Sequence, residues 1–159
     1  MMRLLALLAA LPLAAQVHEL CRACHSDQFE DFQQHKHFAK GLSCDACHGT
    51  SEKHRLASGA APVDKVAASW DQPAVCGGCH TAARKEYSAS RHGVLTLAKS
   101  ETRAAACTTC HGVHALRTAS VRLNQCQRCH TSMKAPHPAV EASTDCFSCH
   151  SPHSLVARK

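Results

Sequence analysis

The chain opens on a short positive start, Met1-Met2-Arg3, and then holds apolar side chains over residues 4–13, with Pro12 as the only break. Small Ala14 and Ala15 precede polar Gln16, the order expected of a secretory signal peptide cleaved near Ala15. A membrane-spanning helix needs about 20 apolar residues, so the run is too short to cross; an uncleaved anchor is the alternative. Residues 1–15 therefore read as a signal and residues 16–159 as an exported domain. After this start the apolar positions become sparse. Ser26 stands where an N-cap is wanted, and the pattern predicts a helix over 27–40, with Phe29 and Phe32 one turn apart and acids in its first turn. A matching helix is predicted over 81–90, with a continuation past Gly93 to Lys99. Residues 51–75 hold Gly59, Pro62 and Pro73 among small side chains and read as a loop anchored by Trp70, or as a flexible linker. Residues 117–124 fit no pattern, and no segment alternates as a strand does.

Composition changes this picture. The 159 residues include 12 Cys and 14 His but only four Phe, one Trp and one Tyr. That is too little bulky apolar material for a large protein core. It argues against an ordinary α/β enzyme and for a scaffold built on cofactors or disulfides. All twelve Cys fall into six Cys-x-x-Cys pairs, each followed at once by His. They are Cys21, Cys24 and His25; Cys44, Cys47 and His48; Cys76, Cys79 and His80; Cys107, Cys110 and His111; Cys126, Cys129 and His130; and Cys146, Cys149 and His150. The pattern is that of c-type haem attachment. Two thiols at this spacing can add to the two vinyl groups of one haem, and the adjacent His then becomes the proximal iron ligand. Zinc ribbons also use Cys-x-x-Cys with His, and six disulfides would suit an exported chain, but neither requires His directly after every second Cys. Six haem c groups, each with its iron, are expected to form most of the core.

The chain also repeats itself. Residues 21–37 align without gaps on residues 76–92, placing Phe32 opposite Tyr87, His35 opposite Ser90 and His37 opposite His92. Another His follows the second motif of each segment, His54 after His48 and His114 after His111. The last third is a shorter version, with His137 after His130 and His153 after His150. Three haem-pair modules result, at about residues 21–54, 76–114 and 126–153. Six proximal His and six distal candidates, His37, His54, His92, His114, His137 and His153, give twelve nitrogens for six irons. His18 and His35 are left over and read as solvent-facing or as standing behind a ligand. Met133 is the only Met beyond the initiator pair and reads as packing. Short gaps such as His111 to Cys126 and His130 to Cys146 bring neighbouring haems close enough for electrons to hop between irons.

These residues resemble the periplasmic multi-haem c-type cytochromes. Residues 44–54 are similar to a segment of larger members in which a distal His follows a Cys-His-Gly turn. Tyr87-Ser88-Ala89-Ser90-Arg91-His92-Gly93 resembles their aromatic-x-x-Ser-x-His-Gly element. His137-Pro138-Ala139-Val140, followed by residues 146–153, is similar to their doubled Cys-x-x-Cys-His module. The family includes pentahaem, decahaem and tetrahaem electron-transfer cytochromes. The resemblance implies a multi-haem cytochrome c fold: mostly short α-helices and loops wrapped round a haem core of stacked pairs, with little or no β and low reduction potentials. This chain differs in having six haem motifs in a small chain and His35 where Ser is usual.

Function follows from ligation. Two imidazoles saturate an iron, which leaves one-electron transfer and no catalytic site. The expected partners are redox proteins, a quinol-side donor and a terminal reductase or outer-membrane conduit, in the periplasm or otherwise outside the cytoplasm. A reductase with one open haem is the alternative, and a filament-forming subunit or other oligomer a third reading. The formal charge is +6, but each ferric haem with ionised propionates adds about −1, so a nucleic-acid partner is not expected. Arg55, Arg91, Arg117 and Arg128 are candidate propionate partners.

Overall fold

The computed structural model describes residues 13–99, 103–131 and 145–158; the initial segment 1–12, Met133 and the distal candidate His137 lie outside them. About half of the structure is helical, and the described residues contain no strand, only an isolated bridge between His150 and Ala157. The helices run from four to ten residues. That is below the dozen or so residues at which an isolated helix begins to hold in water, so neighbouring elements must support them. The chain divides into two compact units, Met1–Lys65 and Val66–Lys159.

The first unit holds α1 (Leu13–Arg22), α2 (Ser26–Gln33), α3 (Lys36–Ala39), α4 (Asp45–His48) and α5 (Glu52–Leu56). The expected cleavage point near Ala15 falls in the first turn of α1. The helix predicted over 27–40 is two helices. Ser26 is the first helical residue and not a cap, and α2 ends at Gln33. The chain then extends at His35 (φ −80°, ψ 143°), whose Nδ1 accepts the N–H of His37 at 3.0 Å and so starts α3. A side chain that caps the next turn competes with continuation of the preceding helix, and here it wins. His18, on α1, is buried among Phe29, Phe32 and Phe38, with ring centroids 5.7, 5.8 and 5.1 Å away. His35 is buried as well and stacks on Phe32. Of the two readings of His18 and His35, solvent-facing or standing behind a ligand, burial removes the first: the four Phe are scarce, and these two imidazoles complete the aromatic cluster.

The second unit holds α6 (Gln72–Gly77), α7 (Thr81–Ala89), α8 (Arg91–Leu97), α9 (Cys107–His111), α10 (Ala119–Gln127) and a 3₁₀ turn, Cys146–Ser148. The helix predicted over 81–90 is α7, but its continuation toward Lys99 is a separate helix, α8, with the break at the position equivalent to His35. Ser90 is extended (ψ 160°); its Oγ accepts from the Gly93 N–H at 3.0 Å and donates to the Tyr87 carbonyl at 2.7 Å. Gly93 packs so closely on that carbonyl that a Cβ there would collide with the Tyr87 and Ser88 backbone. The Tyr87 hydroxyl donates to the Ala105 carbonyl at 2.8 Å and lies 3.0 Å from Thr96 Oγ1, which ties α7 to α8 and to the approach to α9. Residues 117–124, left without a pattern, belong mostly to α10, capped by Thr118 Oγ1 on the Val121 N–H.

The buried hydrophobic residues among those described are Phe29, Tyr87 and Ala106, with Pro73 fully enclosed, while Leu56, Val66 and Val113 are at least 60% exposed. Apolar burial on this scale does not repay the ordering of a chain this long. No described helix is long and apolar enough to cross a membrane.

Candidate haem centres

Each Cys-x-x-Cys-His motif folds as a single helical turn. The His N–H bonds the carbonyl of the first Cys at 2.9–3.0 Å in the motifs starting at Cys21, Cys44, Cys76, Cys126 and Cys146, and the sixth motif is α9 itself. Positions i, i+3 and i+4 of such a turn share one face. The spacing therefore delivers two thiols and one imidazole to the same side, the arrangement that two thioether bonds and an axial ligand require. After α9 the chain must leave at once, and Gly112 (φ +82°) supplies the turn, in a place where a Cβ would strike the Ala115 carbonyl.

The six turns associate in twos through their first cysteines. Cys21 meets Cys44, Cys76 shares a thiol hydrogen bond with Cys107, and Cys126 meets Cys146. Each combination joins two motifs that are consecutive in the sequence. Burial and then the Cys21 thiol push Cys44 up to about 11. The Cys107 hydrogen bond holds Cys76 down at about 7, and the same bond, followed by burial, pushes Cys107 up. The second cysteines are exposed except for half-buried Cys110, which burial raises. Gln72 Oε1 accepts from both the backbone N–H and the hydroxyl of Thr108, at 3.0 and 3.1 Å, and so draws α6 and α9 together. Nothing in the sequence singled out Gln72.

The imidazoles meet in pairs. His25 faces His54 with ring centroids 6.1 Å apart and planes 18° from parallel. His111 faces His153 at 6.0 Å and 27°, and His92 faces His130 at 5.8 Å and 45°. Two metal–nitrogen bonds of about 2 Å, plus the two ring half-widths, span about 6 Å, so the centroid separations match those of two imidazoles sharing one metal. Burial and the neighbouring His130 lower the pKa of His92; burial and then His153 lower that of His111. Both shifts favour the neutral ring that a metal needs. No group of three or more His, Cys, Asp or Glu converges on a metal position among the described residues. Pairs rather than tetrahedral clusters are what a porphyrin, which fills four positions itself, would take from a protein.

Several ring nitrogens are already oriented. His54 Nδ1 lies 2.7 Å from the Ala61 carbonyl, His48 Nδ1 3.1 Å from that of Lys65 and His150 Nδ1 2.9 Å from that of Leu155. A carbonyl can only accept, so each Nδ1 carries the proton and each Nε2 keeps its lone pair for a metal. The segment between α5 and Lys65 provides the first two of these carbonyls. It is fastened where Asp64 Oδ2 accepts the Ser51 N–H at 2.7 Å and the Asp64 N–H bonds Ser51 Oγ at 3.1 Å. Within the predicted loop 51–75, then, residues 52–56 are helical and the turn after them holds two histidines in place. Trp70 anchors by another route, under the Lys99 ammonium 5.4 Å from its ring.

The candidate His153 lies beside a carboxylate, Glu86, 3.9 Å from its Nδ1. His80, Cys79, Glu86 and His153 line one open cleft of about 410 Å³. Arg117 Nε is buried without a hydrogen-bond partner among the described residues, and its charge acts at Cys110. An orphaned guanidinium N–H beside a haem-attachment thiol fits a propionate. Among the other candidate partners of this kind, Arg128 bonds Gln125 instead. His37 lies 4.6 Å from His35, and His114 is half-buried beyond α9. The facing pairs accordingly account for His25, His111 and His130 among the proximal candidates and for His54, His92 and His153 among the distal ones. The family model described as cytochrome c3 matches residues 36–131, more than half of the chain. No curated protein and no solved structure matches it.

Proposed function

The chain belongs to the cytochrome c3 family, which makes it a multi-haem c-type cytochrome of electron transfer, and from that premise we propose that it carries six covalently attached haems and relays single electrons between exported redox partners. The observation that carries this reading is the sixfold recurrence of one helical turn that presents two thiols and an imidazole on one face. When bound, each haem supplies reversible one-electron chemistry at its iron.

The chain's own residues do the rest. Cys21, Cys24, Cys44, Cys47, Cys76, Cys79, Cys107, Cys110, Cys126, Cys129, Cys146 and Cys149 hold the groups covalently. His25, His48, His80, His111, His130 and His150 are the proximal ligands, and His37, His54, His92, His114, His137 and His153 the distal ones. The carbonyls of Ala61, Lys65 and Leu155 keep their histidines in the tautomer that offers Nε2. Contact between the first cysteines keeps the two sites of a module adjacent, a requirement of any relay. Arg117 meets a propionate. The family is typically periplasmic or exported, and the apolar start of the chain serves as its export signal. A quinol-side donor and a terminal reductase or outer-membrane conduit are the partners that suit a carrier with no catalytic site.

Mass spectrometry of the exported protein, a haemochrome count and low-temperature electron paramagnetic resonance (EPR) test the proposal together. Expected are a polypeptide heavier by six haems, beginning near Gln16, and six low-spin irons. The mass of bare polypeptide would sink the reading. An iron that is high-spin in the untreated protein would favour the alternative, a reductase with one open site.

A further inference from the structure

The imidazole pairs have an unequal distribution over the repeats. In the first module the facing rings, His25 and His54, both come from residues 21–54. In the second unit neither facing pair stays within its module. His92, from residues 76–114, faces His130 of residues 126–153 at 5.8 Å, and His153 faces His111 in the opposite sense at 6.0 Å. The contact is reciprocal: each module lends one ring and receives one. His111 has His114 only three residues away in sequence, and its facing ring nevertheless comes from the last turn before the C-terminus. The short spacing explains why. His114 is separated from His111 by only the Gly112 turn and one further residue, too little chain to carry a ring round to the opposite side of the same iron, so an opposing ring must arrive from another element. Thr118-capped α10 carries the chain from α9 to Cys126 and His130, and the first-cysteine contact of Cys126 with Cys146 fixes the two ends of the last module together. His153 therefore stands beside His111 and His92 beside His130.

We propose that the second and third modules exchange distal ligands. His153 completes the iron attached at Cys107 and Cys110, and His92 completes the iron attached at Cys126 and Cys129. The proposal rests on the haem reading above and adds to it the assignment of two distal histidines to particular irons. Each of these two irons then takes its axial ligands from both modules, so residues 76–153 load and fold as one body. The first module completes the Cys21–Cys24 site by itself.

The test uses the exported holoprotein and EPR. His153→Ala is expected to turn one iron of six high-spin. Combined with Cys107→Ala and Cys110→Ala, which remove the haem that His153 is assigned to, the high-spin signal should disappear. Combined with Cys146→Ala and Cys149→Ala, which remove a haem of its own module, the signal should persist. Six low-spin irons in His153→Ala, or a signal that follows the Cys146–Cys149 attachment, would overturn the exchange. Where a multiple variant fails to accumulate, nuclear Overhauser contacts in the reduced wild-type protein decide the matter. Ring protons of His153 should contact the haem bonded to Cys107 and Cys110, and those of His92 the haem bonded to Cys126 and Cys129; contacts to any other haem would refute the assignment. A mass without haem would overturn both the exchange and the haem reading, whereas six haems with the wrong contacts would overturn the exchange alone.

Discussion

Ser90 and His35 occupy the same place in two repeats, and both cap the short helix that carries a distal candidate, with different chemistry. Ser90 uses a hydroxyl toward Gly93, three residues on; His35 uses Nδ1 toward His37, two residues on. The alignment of residues 21–37 on 76–92 placed them opposite each other, yet both segments read as continuous helix, because capping by a mid-pattern residue leaves no trace in hydrophobic spacing. The Ser90 site lends itself to measurement. Ser90→Ala should cost about 1 kcal/mol through the lost cap. Gly93→Ala should cost more, about 1–3 kcal/mol or above, because its Cβ has no space beside the Tyr87 carbonyl. Thermal melts of the two variants against wild type read this order directly, and equal stabilities would contradict the geometry.

At the level of elements, the turn between α5 and Lys65 has a role that its composition concealed. Gly59 and Pro62 marked it only as part of a loop anchored by Trp70, or of a flexible linker, whereas the carbonyls of Ala61 and Lys65 hold His54 and His48, and Asp64 fastens the whole turn onto Ser51. Backbone acceptors of this kind are invisible in a sequence, since every residue has one. Asp64→Ala leaves the Ser51 N–H without its partner and frees the turn. The expected result is a loss of about 1–3 kcal/mol in stability, together with partial high-spin character at the His25–His54 site. A melt and an EPR spectrum unchanged from wild type would show that the turn does not orient His54. The α6–α9 junction follows the same logic, for Gln72 holds together two turns whose cysteines the motif had already identified.

For the whole molecule, the scarcity of apolar side chains has an energetic consequence. With Phe29, Tyr87, Ala106 and Pro73 as the buried apolar positions among the described residues, the polypeptide alone lacks the burial that folding needs. Replacing all twelve cysteines by Ala, so that no haem can attach, should leave a chain without a cooperative thermal transition and with reduced helical circular dichroism. A sharp unfolding transition in that variant would mean that the protein core suffices. What the amino-acid sequence determined unaided was the make-up of each haem motif, while local breaks such as those at His35 and Ser90 escaped it. Six motifs, one turn each, carry their geometry in a five-residue spacing, and residues 21–37 repeat without gaps at residues 76–92. Cofactor class and helical, strand-poor character followed from the same residues. Which imidazole faces which was decided by tertiary structure alone, because opposing rings come from segments far apart in the chain and every candidate is chemically the same side chain. The same holds for the burial of His18 and His35: an aromatic cluster short of Phe recruited them, and only packing in three dimensions reveals where such a deficit falls.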